Sequence, residues 1–289
     1  FTAEPGQMVA LVGPSGAGKS TIAALIARLY EADSGAVRLN GRDVRDVTFA
    51  SLKDTVGMVT QDGHLFHESI RANLQLSGPP ATDDQLWEAL RRARLADVVA
   101  DMPDGLDTVV GERGVRLSGG QRQRIMIAMA MSCAPRLLIA DEATTALDVT
   151  IQAQILDLMQ DVTEQSGTSL LIITHNLGIV ARYADMVAVM YAGKLREVSD
   201  ASDMYAEPQH PYTVGLLRSV PRLDSDKGAP LTPIAGEIPD LTDLPDGCAF
   251  NPRCPWAVER CFTDDPELEE ISTGKQVACF EHASVALHD

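Results

Sequence analysis

The sequence predicts an α/β fold. Short, near-continuous apolar runs alternate with amphipathic stretches of helical period, and a glycine-rich loop joins the first run to the first helical stretch. The runs lack the in–out alternation of a half-exposed strand. They therefore read as strands of a mostly parallel sheet covered on both faces.

Met8–Val12, bounded by Gly6 and Gly13, is the first such strand. Ser20–Tyr30 follows as a helix with Ile22, Leu25, Ile26 and Leu29 on one face. Ala36–Leu39 reads as a strand that turns at Asn40-Gly41, and Val56–Thr60 as another. Thr82-Asp83-Asp84-Gln85 is a capping box, opening a helix that turns Leu86, Leu90 and Ala93 inward. Gln121–Cys133 reads as a helix closed by Pro135, with Cys133 as a small core residue. Leu137–Ala140, Leu170–Thr174 and Val187–Met190 are further buried strands, the first two separated by a helix over Ile151–Gln165. There is no internal repeat.

Composition limits the function. With 289 residues, 45% hydrophobic and 22% charged, the chain has apolar material for a sizeable core, which excludes a disordered or fibrous protein. The longest stretch without Asp, Glu, Lys or Arg, Gln165–Ala181, is interrupted by Ser, Gly, Thr, His and Asn. It is not the roughly 18 consecutive apolar residues of a membrane span. A net charge of −17 argues against a nucleic-acid partner, which would need a basic face. From Leu223 onward there are fourteen acidic and four basic residues, so −10 of that charge lies in the tail. Ten of the sixteen prolines follow Ser202 and four of the five cysteines follow Gly247. The chain opens at Phe1 only twelve residues before the glycine-rich loop, with no signal-peptide pattern, and reads as a fragment lacking N-terminal strands. Five cysteines without a mark of secretion favour a reducing compartment and a metal role over disulfides.

Gly13-Pro14-Ser15-Gly16-Ala17-Gly18-Lys19-Ser20 fits the phosphate-binding pattern G-x-x-x-x-G-K-[ST], and Thr21, the next residue, is expected to bind the nucleotide with it. Its glycines let backbone N–H groups converge on phosphate oxygens at a helix N-terminus. Lys19 would reach the β- and γ-phosphates and the Ser20 hydroxyl would ligate Mg²⁺. The apolar run Leu137–Ala140 ends in Asp141 and Glu142. Asp141 is placed to hold Mg²⁺ through water and Glu142 to polarise an attacking water. Leu117-Ser118-Gly119-Gly120-Gln121, just before a helix, is a second phosphate cradle. One nucleotide cannot easily use two complete cradles of one chain.

In this combination the sequence resembles the ATP-binding subunits and domains of ABC transporters. The motifs run in that family's order: the loop Gly13–Ser20, Gln61, the signature Leu117–Gln121, Asp141-Glu142, Ala146-Leu147-Asp148 and His175. The resemblance implies a P-loop ATPase core with a helical subdomain over residues 1–202. It implies ATP and Mg²⁺ as ligands and a second ATPase subunit whose signature closes over ATP. Gln61 would contact Mg²⁺ and the attacking water, Ser118 and Gly120 the γ-phosphate across the dimer, and Asp148 the opposing loop. His175 would lie beside the γ-phosphate. Membrane permease subunits would be partners at the cytoplasmic face of the plasma (inner) membrane, where this chain would sit peripherally. A peptide-binding protein would be an indirect partner. The aromatic residue that stacks on adenine in this family lies upstream of the loop, so weakened ATP affinity is expected for a chain that starts at Phe1.

The tail, residues 203–289, holds Cys248, Cys254, Cys261 and Cys279 in the spacing C-x5-C-x6-C-x17-C, wider than the close pairs of zinc ribbons. With His210-Pro211-Tyr212-Thr213, Leu216-Leu217 and Ser219-Val220-Pro221 before them, they resemble the C-terminal extension of dipeptide/oligopeptide (and nickel) ABC importer ATPases. That extension carries a cysteine-ligated [4Fe–4S] cluster; zinc, or thiols that are unliganded or joined in disulfides, are the alternatives. The resemblance is a mosaic. Up to about Arg124 the wording is that of ABC exporters, as in Asp54–Asp62, Leu65-Phe66, Ile70–Leu74 and Val110–Gly114. From about Ile125, Thr144–Gln154 and Thr174–Gly178 are peptide-importer phrases, although Ala143 stands where importers carry Pro. The expected function is ATP hydrolysis that powers peptide import. The alternatives are an exporter ATPase, an ABC ATPase without a membrane partner, and a non-enzymatic scaffold.

Overall fold

The computed structural model describes residues 1–61, 64–76, 81–111, 117–145, 147–219 and 233–285. Asp62, Glu112–Gly114, Ala146, Val220 and Pro221 of the motifs quoted above lie outside the described residues. In chain order the strands are β1 (Met8–Val12), β2 (Arg38–Leu39), β3 (Arg42–Asp43), β4 (Val56–Thr60), β5 (Leu137–Asp141), β6 (Ser169–Thr174), β7 (Met186–Tyr191), β8 (Lys194–Asp200), β9 (Glu269–Ser272) and β10 (Lys275–Val277). The α-helices are α1 (Lys19–Ile26), α2 (Phe49–Thr55), α3 (Ile70–Gln75), α4 (Asp83–Arg92), α5 (Ala96–Ala100), α6 (Gly119–Met131), α7 (Val149–Ser166), α8 (Leu177–Tyr183), α9 (Ala201–Ala206) and α10 (Pro211–Arg218). Among the described residues no helix is long and apolar enough to cross a membrane.

The chain divides into two compact units. The first comprises Phe1–Thr2, Met8–Lys19 and Ile173–Asp289; the second comprises Ala3–Gln7 and Ser20–Ile172. In the first unit β1 is buried at every position and pairs in parallel with β7, Val9 opposite Met186 through Val12 opposite Val189. Beyond β7 the pairing turns antiparallel, β7 to β8, β8 to β10 and β10 to β9. This antiparallel part was not legible in the sequence, because β8 buries Arg196 and Glu197 at 1% and 0% exposure. Each charge has partners. Arg196 Nη1 donates to Asp265 Oδ1 at 2.7 Å, and the Glu197 carboxylate accepts the N–H groups of Gln209 (2.7 Å) and His210 (2.9 Å). Tyr191 meets Tyr212 and Phe250 with ring centroids 4.7 and 5.2 Å apart, so the cysteine-bearing tail joins the core built on β1 and β7.

In the second unit β4 and β5 pair in parallel, Val56 opposite Leu137 through Thr60 opposite Asp141. A separate apolar cluster of Ile70, Leu74, Leu86, Leu90, Val99 and Ile125 packs α3 to α6 together. The Thr82–Gln85 capping box opens α4 as expected.

Three expectations need correction. The first helix ends at Ile26, not Tyr30. Arg28 adopts φ +52°, Arg28 N–H bonds the Leu25 carbonyl and Leu29 N–H bonds the Ala24 carbonyl, which is a Schellman end. Leu29 is consequently 68% exposed instead of inward. The strand expected over Ala36–Leu39 pairs only at Arg38–Leu39. The helix expected over Gln121–Cys133 spans Gly119–Met131, and Cys133 lies half-buried in the turn that follows, where Ala134 takes φ +47°.

Two substitutions separate these environments. Leu90→Ala, at 0% exposure, is expected to lower unfolding free energy by about 2–5 kcal/mol. Leu29→Ala is expected to change it by less than about 0.5 kcal/mol. Chemical denaturation of both variants measures the difference.

Candidate active site

The glycine-rich loop starts where β1 leaves its pairing with β7. A Cβ on Gly13 would stand 2.4 Å from the Met190 carbonyl oxygen, so the backbone contact admits only glycine. Gly18 holds φ +96°, a left-handed conformation that lets the chain turn into α1. Lys19 is 5% exposed, and its Nζ donates to the Gly13 and Pro14 carbonyls, both at 3.0 Å. The ammonium thus braces the mouth of the loop, while Ala17 N–H closes the turn on the Pro14 carbonyl at 3.2 Å. Ser15 and Gly16 form the tip between them, Gly16 at φ +80°. His175, the residue after β6, is exposed and lines one cavity with Gly13 and Pro14. It therefore lies beside the loop. Asn176 fixes the start of the next helix by accepting Gly178 N–H at 2.9 Å.

The second unit gathers the metal-type ligands. Ser20 Oγ donates to Asp141 Oδ1 at 3.1 Å, so the hydroxyl and the carboxylate meet at the end of β5. This pair fits a hard cation that takes oxygen ligands. Thr60 lies opposite Asp141 in the β4–β5 register, which brings Gln61 to the neighbouring strand end. Glu142 is half-buried and takes φ +49°, an uncommon conformation for a glutamate, with its carbonyl accepting Thr145 N–H at 3.1 Å.

The signature residues open α6. Ser118 and Gln121 form a capping box: Ser118 Oγ accepts Gln121 N–H at 3.2 Å and Gln121 Oε1 accepts Ser118 N–H at 2.9 Å. The N–H groups of Gly119 and Gly120, in the first turn, have no partner inside the helix. Both glycines lie against the start of α7. A Cβ on Gly120 would meet Ile151 Cγ2 at 2.8 Å, and one on Gly119 would meet Leu147 Cδ2 at 3.1 Å. Asp148 caps α7, its Oδ1 accepting Ile151 N–H at 3.0 Å. Neither cap was anticipated from the sequence, although Ser-x-x-Gln and the Asp before Val149 are readable cap signals.

Cys248, Cys254, Cys261 and Cys279 are free thiols that border one cavity, together with His210, Phe250 and Trp256. Burial first, with a smaller contribution from neighbouring cysteine sulfurs, raises Cys254 to about 11 and Cys279 to about 12. A bound cationic centre would reverse the cost of ionising these buried thiols. Among the described residues, however, no group of three or more His, Cys, Asp or Glu side chains is placed to hold a metal ion. Burial also drives the His210 imidazole down to about 3, and its Nδ1 accepts Tyr212 N–H at 3.0 Å.

A family profile described as "ABC transporter" matches residues 1–145, and one described as "Oligopeptide/dipeptide transporter, C-terminal region" matches residues 197–261. A peptide import ATP-binding protein of Brucella ovis is 41% identical over 98% of this chain and 90% of its own length. The oligopeptide transport ATP-binding protein AppD of Bacillus subtilis is 40% identical over 97% of this chain and 88% of its own. The corresponding OppD of Mycobacterium tuberculosis is 40% identical over 96% of this chain, which spans 47% of that protein. Among solved structures, a bacterial Atm1-family ABC exporter with ATP bound superposes with a TM-score of 0.62 at 39% identity. That match covers 69% of this chain and 35% of the exporter.

Gly13→Ala puts a methyl group into the Met190 carbonyl and must displace the loop. It is expected to weaken binding of a fluorescent ATP analogue at least about tenfold, and to cost about 1–3 kcal/mol in stability. Titration and thermal melting check the two effects separately.

Proposed function

Because the chain belongs to the ABC transporter family, we propose that it is the ATP-hydrolysing subunit of a peptide importer. The observation that carries the reading is the meeting of Ser20 and Asp141 at the end of the strand that runs into Glu142. Hydrolysis is attack of water on the γ-phosphorus, with cleavage of its bond to the β–γ bridging oxygen. Gly13, Pro14, Ser15, Gly16, Ala17 and Gly18 line the phosphate cradle, and Lys19 turns its ammonium from the loop carbonyls to the β- and γ-oxygens. Ser20, Asp141 and Gln61 hold Mg²⁺, and Thr21 continues the cradle into α1. When bound, the ion neutralises charge on the phosphate oxygens. Glu142 takes the water's hydrogen bond and aligns its lone pair on phosphorus. His175 stabilises the γ-phosphate. Ser118, Gly119, Gly120 and Gln121 present the α6 N-terminus to a nucleotide held by a second ATPase subunit, and Asp148 reaches that subunit's loop.

Peptide import is supported by the full-length likeness to importer ATPases and by the C-terminal profile. On this reading the chain sits on the cytoplasmic face of the inner membrane and drives separate permease subunits, with a peptide-binding protein upstream. Residues 203–289 form the extension typical of such importers, and the four cysteines ligate a [4Fe–4S] cluster. Their shared cavity supports that donor set. Export is the second reading, favoured by the 39% identity to an Atm1-family exporter over 69% of the chain. Co-purification with tagged permease subunits of either type distinguishes the two.

Glu142→Gln is expected to lower kcat by at least about 100-fold while ATP is still bound, and to accumulate an ATP-bound dimer in size-exclusion chromatography. Undiminished turnover refutes the role given to Glu142. Protein purified without oxygen is expected to contain iron and acid-labile sulfide, both lost in Cys261→Ser; zinc without sulfide would refute the cluster.

A further inference from the structure

The mechanism leaves unexplained how a glutamate is kept at positive φ where a water must be aimed. The left-handed region costs an L-residue other than glycine roughly 1–2 kcal/mol, so Glu142 stays there only if its surroundings hold it. Backbone bonds supply part of the hold. Thr145 N–H bonds the Glu142 carbonyl and Leu147 N–H bonds the Thr144 carbonyl, both at 3.1 Å. These bonds close the turn on itself but do not fix it to another element.

A side chain supplies a fixed point. Thr144 is buried at 8% exposure, and its hydroxyl accepts Gln152 Nε2 at 3.0 Å. Gln152 is in the first turns of α7, where its own N–H bonds the carbonyl of the cap residue Asp148 at 2.8 Å. Helix α7 is in turn fixed to α6, since Arg124 Nη2 donates to Gln154 Oε1 at 3.1 Å. The Gln152–Thr144 bond therefore joins the turn that carries Glu142 to a helix start seated against the signature glycines. A threonine hydroxyl both donates and accepts, so this pair bonds in either orientation of the amide.

We propose that Gln152 is a positioning residue for hydrolysis: through Thr144 it holds the Glu142 turn in its left-handed conformation and ties it to the first turn of α7. The inference rests on Glu142 being the group that aligns the water. Gln152 touches neither nucleotide nor metal in this scheme, so its loss acts on the chemical step and leaves ATP binding in place.

The test is steady-state ATPase kinetics of the full chain with its partner subunits, together with thermal melting. Gln152→Met keeps the length of the side chain and removes the bond. It is expected to lower kcat about 10- to 100-fold with KM for ATP changed less than about twofold. Thr144→Val is expected to do the same, Thr144→Ser to retain wild-type kcat, and the double variant Gln152→Met/Thr144→Val to fall no further than either single one. Multiplying losses in the double variant, equal kcat in Thr144→Ser and Thr144→Val, or wild-type kcat in Gln152→Met would each overturn the proposal. If Gln152→Met melts early, the Thr144 pair alone decides. Glu142→Gln is run beside them. Undiminished turnover after this change overturns the role given to Glu142, on which the inference rests, whereas loss of turnover there with full activity in Gln152→Met overturns only the positioning role.

Discussion

The parallel pairing of β1 with β7 is the constraint from which the nucleotide site follows. All five residues of β1 are buried, and its register with β7 ends at Val12 opposite Val189. The next residue, Gly13, then runs directly against the Met190 carbonyl. A side chain there would force the strands apart or lift the loop. The same close approach leaves the Gly13 and Pro14 carbonyls together, and the buried Lys19 ammonium satisfies both. The loop is thus shaped by strand packing before any phosphate arrives, which is the preorganisation that charge stabilisation requires.

The antiparallel part beyond β7 obeys a different logic. Burying Arg196 and Glu197 in β8 costs desolvation that apolar residues would not incur. Burial raises the Glu197 pKa, opposed by the N–H groups of Gln209 and His210. Burial also works to raise Asp265, yet hydrogen bonds from Arg196 and Lys194 hold it below the usual carboxylate range. These interactions reach from β8 to the entry of α10 and to the cysteine-bearing tail. Removing Asp265 would strand the buried Arg196 charge, so this pair specifies how the tail seats against the strand even where it adds little net stability.

This explains which features were legible in sequence. The buried strands, the α4 capping box and the motif strand ends were readable because local apolar pattern and cap chemistry agree with the tertiary result. Leu29 was misplaced because helical period alone cannot register a Schellman end formed with Arg28 in place of glycine. Strand β8 was missed because it buries two adjacent charges, which only partners distant in sequence, Asp265 for Arg196 and the N–H groups of Gln209 and His210 for Glu197, make tolerable. The phosphate loop was legible as a motif. That Gly13 answers to the Met190 carbonyl was not, since the two are far apart in sequence.

The signature residues illustrate how one side chain can serve structure and chemistry together. Ser118 Oγ accepts Gln121 N–H, which occupies a lone pair but not the hydroxyl hydrogen. The cap therefore leaves a donor for a phosphate oxygen, and the two glycine N–H groups beside it point the same way by helix geometry. Replacing either glycine would drive a Cβ into Leu147 or Ile151 at the start of α7. Such a change would move Asp148 and Gln152 as well as the N–H groups proposed to bind phosphate. Loss of activity on substituting a signature glycine thus measures the seating of two helices, and cannot be assigned to a lost phosphate contact alone.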